Sequence, residues 1–341
     1  RDIHKHFDME IHALILPGNH DRLINATPEI RRKVREILGL DGGTTPFEHR
    51  FLVRDWRGDP FCLIRHGHEY DPANFALNTH TMETIPLDLP SEAYGKGVLG
   101  DITTTEFGAS LPQYFEDEYG QEAILSDETL MALYQRLTEF DDVRPTNAWL
   151  AYLFSMPGVD PRKTWRLIKP AFTRILNILS RHEQFNMTLK QSAAMSGFAR
   201  VILLSILRSG IFNNGVPFWL MKFIMKAISG SIKLKKQVIW AKKEAVVQGK
   251  DAKCNCVISG HSHFAEVSLI STTNWDERYY INTGTWRNVI PATDKFTDFG
   301  RLKALTKVML LVPKEIPETV DGRDWAFHYM SGVSFGDQRQ V

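Results

Sequence analysis

Three short apolar segments, far apart in a chain of 341 residues, each end in histidine or asparagine beside glycine. Residues 12–16 lead to Gly18-Asn19-His20-Asp21, residues 61–65 lead to His66-Gly67-His68, and residues 256–259 lead to Gly260-His261-Ser262-His263. Short apolar runs bounded in this way predict buried strands. Open α/β sheets carry their chemistry at the carboxyl ends of strands, and imidazole nitrogens and amide oxygens suit Mn, Fe or Zn. The pattern therefore predicts one metal site at the strand ends of an α/β sheet.

These motifs resemble the signatures of the calcineurin-like metallophosphoesterase family. Residues 18–21 (GNHD) and 260–263 (GHSH) are similar to that family's third and last motifs, and His66 is similar to the histidine between them. The resemblance covers roughly residues 8–100 and 253–312, and three motifs in order are far more specific than one. The motifs are most similar to the UDP-diacylglucosamine pyrophosphatase-like branch, although the middle of this chain is far longer. The implied fold is of the α/β class, a metallophosphoesterase-type β-sandwich flanked by helices (αββα).

The resemblance also implies roles for single residues. The implied metal ligands are Asn19, His66 and His261 for one divalent ion and His263 for a second. The implied catalytic residues are His20, which would stabilise charge or protonate the leaving oxygen, and Asp21, which would orient the His20 ring. Further candidates are His68 and Asp71, as substrate contacts, as supports behind the ligands or as surface residues without a role, and Asn282, as a residue lining the substrate pocket. Two metal ions, Mn²⁺ as the first choice with Fe or Zn as alternatives, would activate a water for attack on phosphorus.

Two other motifs of the family, Asp-x-His and Gly-Asp-x-x-Asp, have no clear counterpart here. Asp2-Ile3-His4 has the letters of the first, but it lies only 14 residues before Gly18 and follows no apolar run. The chain also begins with Arg1. We therefore expect that an N-terminal segment of about one βαβ unit, roughly 30 residues or more, is missing and is needed to complete the metal site. The alternative is a relative that binds metal poorly.

The spacing of apolar residues predicts three parts in the chain. Residues 1–120 would form the N-terminal part of the core, residues 121–250 a helical cap, and residues 251–341 the C-terminal part of the core with an irregular tail. Thr27 and Pro28 predict the start of a helix that ends before Gly39. Further helices are expected at 122–139, 146–155, 162–182, 187–208 and 216–246, and strands at 12–16, 49–55, 61–66, 255–259, 264–271, 278–283 and 307–312.

Charge is unevenly distributed although the net charge is only +1. Residues 88–142 carry 13 acidic against 2 basic side chains, whereas residues 144–253 carry 19 basic against 4 acidic ones. The basic and apolar segment 216–236 could contact an anionic membrane surface, with a nucleic-acid backbone as second choice, or it could pack on the protein itself. Three cysteines indicate a reducing compartment, so we expect a cytoplasmic protein, peripheral to the membrane if the segment binds lipid.

The expected activity is metal-dependent hydrolysis of a phosphoester or pyrophosphate bond, with the basic cap selecting an anionic, phosphate-containing substrate. A nuclease of the same superfamily is the first alternative, because clustered lysine and arginine also suit nucleic acid. A non-catalytic scaffold that keeps the fold is the second. Its argument is the absence of Asp-x-His and Gly-Asp-x-x-Asp from this chain.

Overall fold

The computed structural model describes residues 13–40, 42–55, 57–181, 183, 185–187, 217–218, 237–249, 252–273, 276–311 and 326–334. This part of the chain is mixed α/β, with two β-sheets. Its strands are β1 (Arg50–Arg54), β2 (Pro60–Arg65), β3 (Val143–Arg144), β4 (Cys256–Ser259), β5 (Ala265–Thr273), β6 (Asp276–Thr283), β7 (Asn288–Pro291), β8 (Leu302–Leu311) and β9 (Ala326–Ser334). Its α-helices are α1 (Pro28–Leu38), α2 (Ser91–Gly95), α3 (Leu99–Thr103), α4 (Leu111–Tyr119), α5 (Gln121–Ser126), α6 (Glu128–Thr138), α7 (Trp149–Phe154), α8 (Pro161–Arg181) and α9 (Val238–Ala241).

The first sheet has the order β1-β2-β4-β6-β5. Its three central strands are parallel, with Cys62 opposite Cys256 and Cys256 opposite Tyr279, while β1 and β5 run antiparallel at the edges. The carboxyl ends of β2, β4 and β6 therefore meet at one edge of the sheet. The strands predicted from the apolar runs at 61–66, 255–259 and 278–283 are confirmed, and they bring His66 and Gly260 to that edge.

The second sheet has the order β3-β7-β8-β9 and packs face to face on the first. Alternate residues of the first sheet, such as Cys62 and Ile258, meet Val308 and Leu310 of β8 in one apolar cluster. The rings of Tyr279 and Phe327 lie 5.4 Å apart across it. The expectation of an irregular tail after residue 312 was wrong for residues 326–334. They form β9, because Phe327 and Tyr329 alternate toward the sheet interface while the backbone pairs with β8.

The opposite face of the first sheet is covered by residues between β2 and α2 and by α9. Trp240 of α9 and Ile85 pack with Leu63 and Tyr280 of the sheet. Glu244 pairs with Ile85 as well, through an isolated β-bridge. Residues 237–249 therefore belong to the core around the sheet, and the predicted end of the helical cap at residue 250 lies too late along the chain.

The helical part is held by a larger apolar cluster that α4, α6, α7 and α8 share. Helix α8 contributes a stripe at helical spacing, including Trp165, Ile168 and Phe172. Leu111 of α4 is fully buried in the same cluster, so the helical part begins before the predicted boundary at residue 121. Ile290 of β7 also packs there, which attaches the helices to the second sheet. The predicted helix at 187–208 and residues 216–236 of the one predicted at 216–246 lie outside the described residues, apart from a few positions; within 237–246 only Val238–Ala241 (α9) is helical.

Near the start of the chain, the predicted helix is present and the predicted strand is not. Helix α1 is confirmed at Pro28–Leu38, where the Thr27 hydroxyl accepts from Ile30 N–H at 3.3 Å and Gly39 has a φ of 67°. The predicted strand at 12–16 is wrong for residues 13–16, which form no strand and leave Leu14 61% exposed. Within the described residues, no helix is long and apolar enough to span a bilayer.

Candidate functional site

The structure brings the three predicted motifs together at the carboxyl edge of the first sheet. The His66 carbonyl accepts from the backbone N–H groups of Gly260 and His261, both at 3.0 Å. The rings of His66 and His261 lie 5.4 Å apart. Gly18 reaches the same place, since a Cβ on it would lie 2.8 Å from Cε1 of His66. Segments separated by more than 40 and by almost 200 residues thus share one site.

Asn19 enters this site with an unsatisfied oxygen. Its side chain is 7% exposed, and its Nδ2 donates to Oδ1 of Asn74 at 3.1 Å. Its own Oδ1 is buried and has no hydrogen-bond partner. Because a buried acceptor without a partner costs about 1–3 kcal/mol, this oxygen is a group that a bound ligand would satisfy. It is also the atom that the sequence predicts as a metal ligand.

Burial keeps His66 and His68 in their neutral form. Burial, followed by the neighbouring His261 and His68, lowers the pKa of His66 to about 3. Burial also lowers the pKa of His68 to about 4. A neutral imidazole has a free lone pair, which is the state that binds a metal ion. The environment therefore favours the ligating form of His66 near neutral pH.

Asp71 contacts a predicted ligand. Its Oδ2 lies 3.1 Å from Nε2 of His261 and also accepts from Nδ2 of Asn74 at 2.8 Å. Burial is the largest single influence and opposes its ionisation, but the hydrogen bond and electrostatic interaction with His261, together with the hydrogen bonds from Asn74 and Ala73 N–H, lower the pKa of Asp71 to about 2. Of the two roles considered for Asp71, these contacts favour support of the ligands over contact with substrate.

His68 and Asn282 lie beneath the site. His68 is 4% exposed, and its ring packs edge-on against Phe75 and Tyr94. Asn282 is fully buried, and its Nδ2 lies within 3.3 Å of Gln237, Ser259 and Tyr280 oxygens, while its Oδ1 accepts from Gly284 N–H at 2.9 Å. The expectation that Asn282 lines a substrate pocket is therefore corrected, since every polar atom of its side chain is engaged within the protein. It fixes the end of β6 instead.

His20 is exposed at the rim of the site, as a group that contacts substrate would be. The expected orienting contact from Asp21 is not among the hydrogen bonds of the described residues. Instead, Oδ2 of Asp21 accepts from Gly18 N–H at 3.2 Å, and the Asp21 N–H donates to the Gly18 carbonyl at 3.1 Å. Asp21 therefore closes the turn that carries Asn19 and His20.

His263 is turned toward the helical part of the chain. It has a φ of 61°, in the left-handed region, and its Nδ1 accepts a hydrogen bond from the guanidinium of Arg144 in β3. Burial and then Arg144 lower the pKa of His263 to about 2. Arg144 is itself fixed by the carbonyls of residues 141 and 143, each at 2.8 Å. A buried guanidinium thus stands beside the residue predicted to bind the second metal ion.

The donor set partly fits a divalent cation. Asn19 Oδ1, His66 and His261 supply one amide oxygen and two imidazoles, a set suited to borderline metals. Within the described residues, no group of three or more His, Cys, Asp and Glu side chains is already arranged to hold a metal ion. The fit therefore rests on the unsatisfied oxygen of Asn19 and on the neutral imidazole of His66.

Sequence reasoning missed several residues that shape the site. Asn74 and Arg144 stand in no motif, and nothing in their local sequence marks them. Arg65 could have been noticed as a charge inside an apolar strand directly before His66. It is 1% exposed and forms a buried ion pair with Glu244 at 3.0 Å.

Comparisons with protein-family models, curated proteins and solved structures found no match to this chain.

Proposed function

We propose that the protein is a metal-dependent hydrolase of phosphoester or phosphoanhydride bonds, built on a metallophosphoesterase-type β-sandwich. The observation that carries this proposal is the buried, unpartnered Oδ1 of Asn19, the residue after Gly18, whose backbone lies against the His66 ring at the carboxyl edge of three parallel strands. A structural asparagine would satisfy that oxygen within the protein. An oxygen left free in the same site as the neutral imidazole of His66 suits a cation.

Asn19, His66 and His261 would hold the ion, with Mn²⁺ as the first choice and Fe or Zn as alternatives. A bound divalent cation supplies polarisation of a phosphoryl oxygen and a lower pKa for an attacking water. A second ion at His263 would require the Arg144 guanidinium to leave Nδ1 or the ion to bind through the other ring nitrogen.

Residues at the rim would act on the substrate. His20 is exposed and near enough to His66 to influence its pKa, so it can donate a proton to the leaving oxygen. Arg144 offers a fixed positive charge on the opposite side, at His263. Guanidinium groups bind phosphate oxygens in pairs, so this charge suits an anionic substrate.

The test uses the full-length protein, freed of metal and reloaded with Mn²⁺, on a phosphomonoester, a phosphodiester and a nucleoside diphosphate ester. We expect hydrolysis that chelator abolishes and that His66→Ala reduces by at least about 100-fold. His328→Ala, on the exposed side of β9, serves as the matched control and keeps full activity. Wild-type protein that binds Mn²⁺ but cleaves none of these would favour the scaffold alternative.

The nuclease alternative is separated by an oligonucleotide substrate in the same assay. Its main support, the basic segment 216–236, lies outside the described residues except for Pro217 and Phe218. The Phe218 ring lies 5.9 Å from that of Phe154 in α7, so this position packs on the helical cluster. Contact of the remaining segment with a membrane or with nucleic acid stays a prediction, to be measured as salt-dependent binding to anionic vesicles and to DNA.

A further inference from the structure

A chain of hydrogen bonds joins two of the proposed ligands. Nδ2 of Asn19 meets Oδ1 of Asn74 at 3.1 Å, and Nδ2 of Asn74 meets Oδ2 of Asp71 at 2.8 Å. The same Oδ2 of Asp71 meets Nε2 of His261 at 3.1 Å. The other carboxylate oxygen of Asp71 accepts from Ala73 N–H at 2.9 Å, which fixes the orientation of the group.

The carboxylate of Asp71 determines the direction of each hydrogen bond in this series. A carboxylate only accepts hydrogen bonds, so the atoms that face Asp71 must be donors. Asn74 therefore turns its NH₂ to Asp71 and its oxygen to Asn19. Asn19 must then turn its NH₂ to Asn74, which leaves its own oxygen as the free atom. On the other side, Nε2 of His261 must carry the proton, so the lone pair lies on Nδ1.

We propose that Asp71 and Asn74 are positioning residues that set which atoms of Asn19 and His261 face the cation, namely Oδ1 of Asn19 and Nδ1 of His261. This inference rests on the proposed function, because it assigns ligand atoms within the proposed metal site. Without Asn74, the Asn19 amide could rotate and present its NH₂, which cannot bind a cation. Without the charge of Asp71, His261 would lose its preference for the Nε2–H tautomer.

The packing around Asn74 supports a fixed role for it. A Cβ on Gly100 of α3 would lie 2.1 Å from Oδ1 and 2.9 Å from Cγ of Asn74. The Gly100 N–H also donates to the Ala73 carbonyl at 2.8 Å. Helix α3 therefore presses its backbone against this side chain. An asparagine confined in this way holds one amide orientation, as the proposed role requires.

The first experiment measures the tautomer of His261 in the metal-free full-length protein by ¹⁵N NMR of the imidazole nitrogens. We expect protonation at Nε2 in the wild type and a mixture of tautomers in Asp71→Asn, whose amide can donate as well as accept. A wild-type His261 protonated at Nδ1 would overturn the proposal.

The second experiment measures Mn²⁺ affinity by calorimetry. We expect Asn74→Ala to weaken binding about 10- to 100-fold, as loss of a group that orients a ligand does. Asn78→Ala is the matched control, since Asn78 caps the turn at residues 79–81 and does not contact the chain of hydrogen bonds. Unchanged affinity in a folded Asn74→Ala protein contradicts the proposal. Failure of the proposed function looks different, because the wild type would then cleave no substrate, with or without bound Mn²⁺, while His261 kept its Nε2–H tautomer.

Discussion

The backbone of Gly18 touches the ring of His66. A Cβ on residue 18 would lie 2.8 Å from Cε1 and 2.9 Å from Nε2 of that ring, closer than real Cβ atoms approach. Asn19 directly follows Gly18 in the chain, so this contact also fixes the position of the Asn19 backbone relative to the His66 ring. The two motifs act as one unit, so a change at residue 18 reaches the candidate ligand at residue 66.

We expect Gly18→Ala to displace the His66 ring and reduce Mn²⁺-dependent turnover about 100-fold, since a shift of roughly 1 Å at a reacting centre has that effect. The measurement is kcat/KM alongside the thermal midpoint. Gly42→Ala is the control, because a Cβ there meets nothing within 4 Å. Equal activity of the two variants would show that His66 tolerates the added methyl group.

Gly100→Ala should act through Asn74. The new Cβ would lie 2.1 Å from Oδ1 of Asn74 and 3.1 Å from the Ala73 carbonyl oxygen, so the Asn74 side chain must leave its place. We expect Mn²⁺ affinity to fall about tenfold, measured by calorimetry. Gly95→Ala in α2 adds a methyl group that meets nothing within 4 Å and should leave affinity unchanged. Equal Mn²⁺ affinities in both variants would contradict the proposal that Asn74, held by α3, orients the Asn19 amide.

The buried ion pair of Arg65 and Glu244 allows a test of fold stability that does not depend on the proposed metal site. Both side chains are fully buried, and Glu244 also accepts from the Tyr70 hydroxyl at 2.7 Å. Arg65→Met leaves an unpaired buried carboxylate and should lower the free energy of unfolding by about 3–5 kcal/mol. The double variant Arg65→Met, Glu244→Leu should recover most of that loss in urea unfolding. A double variant no more stable than the single one would mean that hydrogen bonds of Arg65 to backbone carbonyls dominate.

Stability should decrease on acidification because of the buried histidines. Burial lowers the pKa of His68 from 6.5 to about 4, so the unfolded chain binds this proton at higher pH than the folded chain does. The contribution of His68 to stability is therefore complete above pH 6.5 and is lost as pH falls toward 4. Each such histidine contributes about 1.4 kcal/mol per pH unit. Urea unfolding of metal-free protein across this window should show the loss, with a smaller slope for His68→Gln; a stability that rose on acidification would refute the assignment.

We expect substitutions of His20 and of His261 to differ in their effects on metal content and turnover. His20 is exposed and stands outside the proposed ligand set, so His20→Ala should keep its Mn²⁺ and lose turnover by about 100-fold. His261→Ala removes a ligand and should lose both. Metal content by atomic spectroscopy, measured beside kcat, separates the two outcomes. A fully active His20→Ala protein would exclude His20 as the proton donor.

The sequence predicted elements whose cause is local. Helix α1 followed from Thr27, Pro28 and Gly39, and the central strands β2, β4 and β6 followed from apolar runs. The strand expected at 12–16 failed for residues 13–16, because an apolar run alone does not show whether the segment pairs with another strand, and these residues pair with none. β9 was missed because its inward alternation is short and its outer positions are mixed in polarity.

In the site, too, the sequence predicted what depends on local motifs and missed what depends on the tertiary fold. Strands β2 and β4 end directly before His66 and Gly260 and bring His66 and His261 to one edge, whereas Asn19 follows residues that form no strand and reaches this edge through the contact of Gly18 with His66. The partners of these residues could not be predicted, because Asn74 and Arg144 meet them only through the tertiary fold. The role of Asn282 was misread for a related reason. A position in a motif does not tell whether a side chain faces a cavity or fills the space beneath it.

The parallel register of β2 and β4 limits how this protein can tolerate insertions and deletions. Cys62 pairs with Cys256, and four residues later on each strand His66 meets Gly260 through the shared carbonyl. One added residue between either pair would advance one motif past the other by about 3.3 Å and reverse the direction of its side chains. Loops elsewhere can change in length, but these two four-residue spans must keep equal length for the histidines to meet.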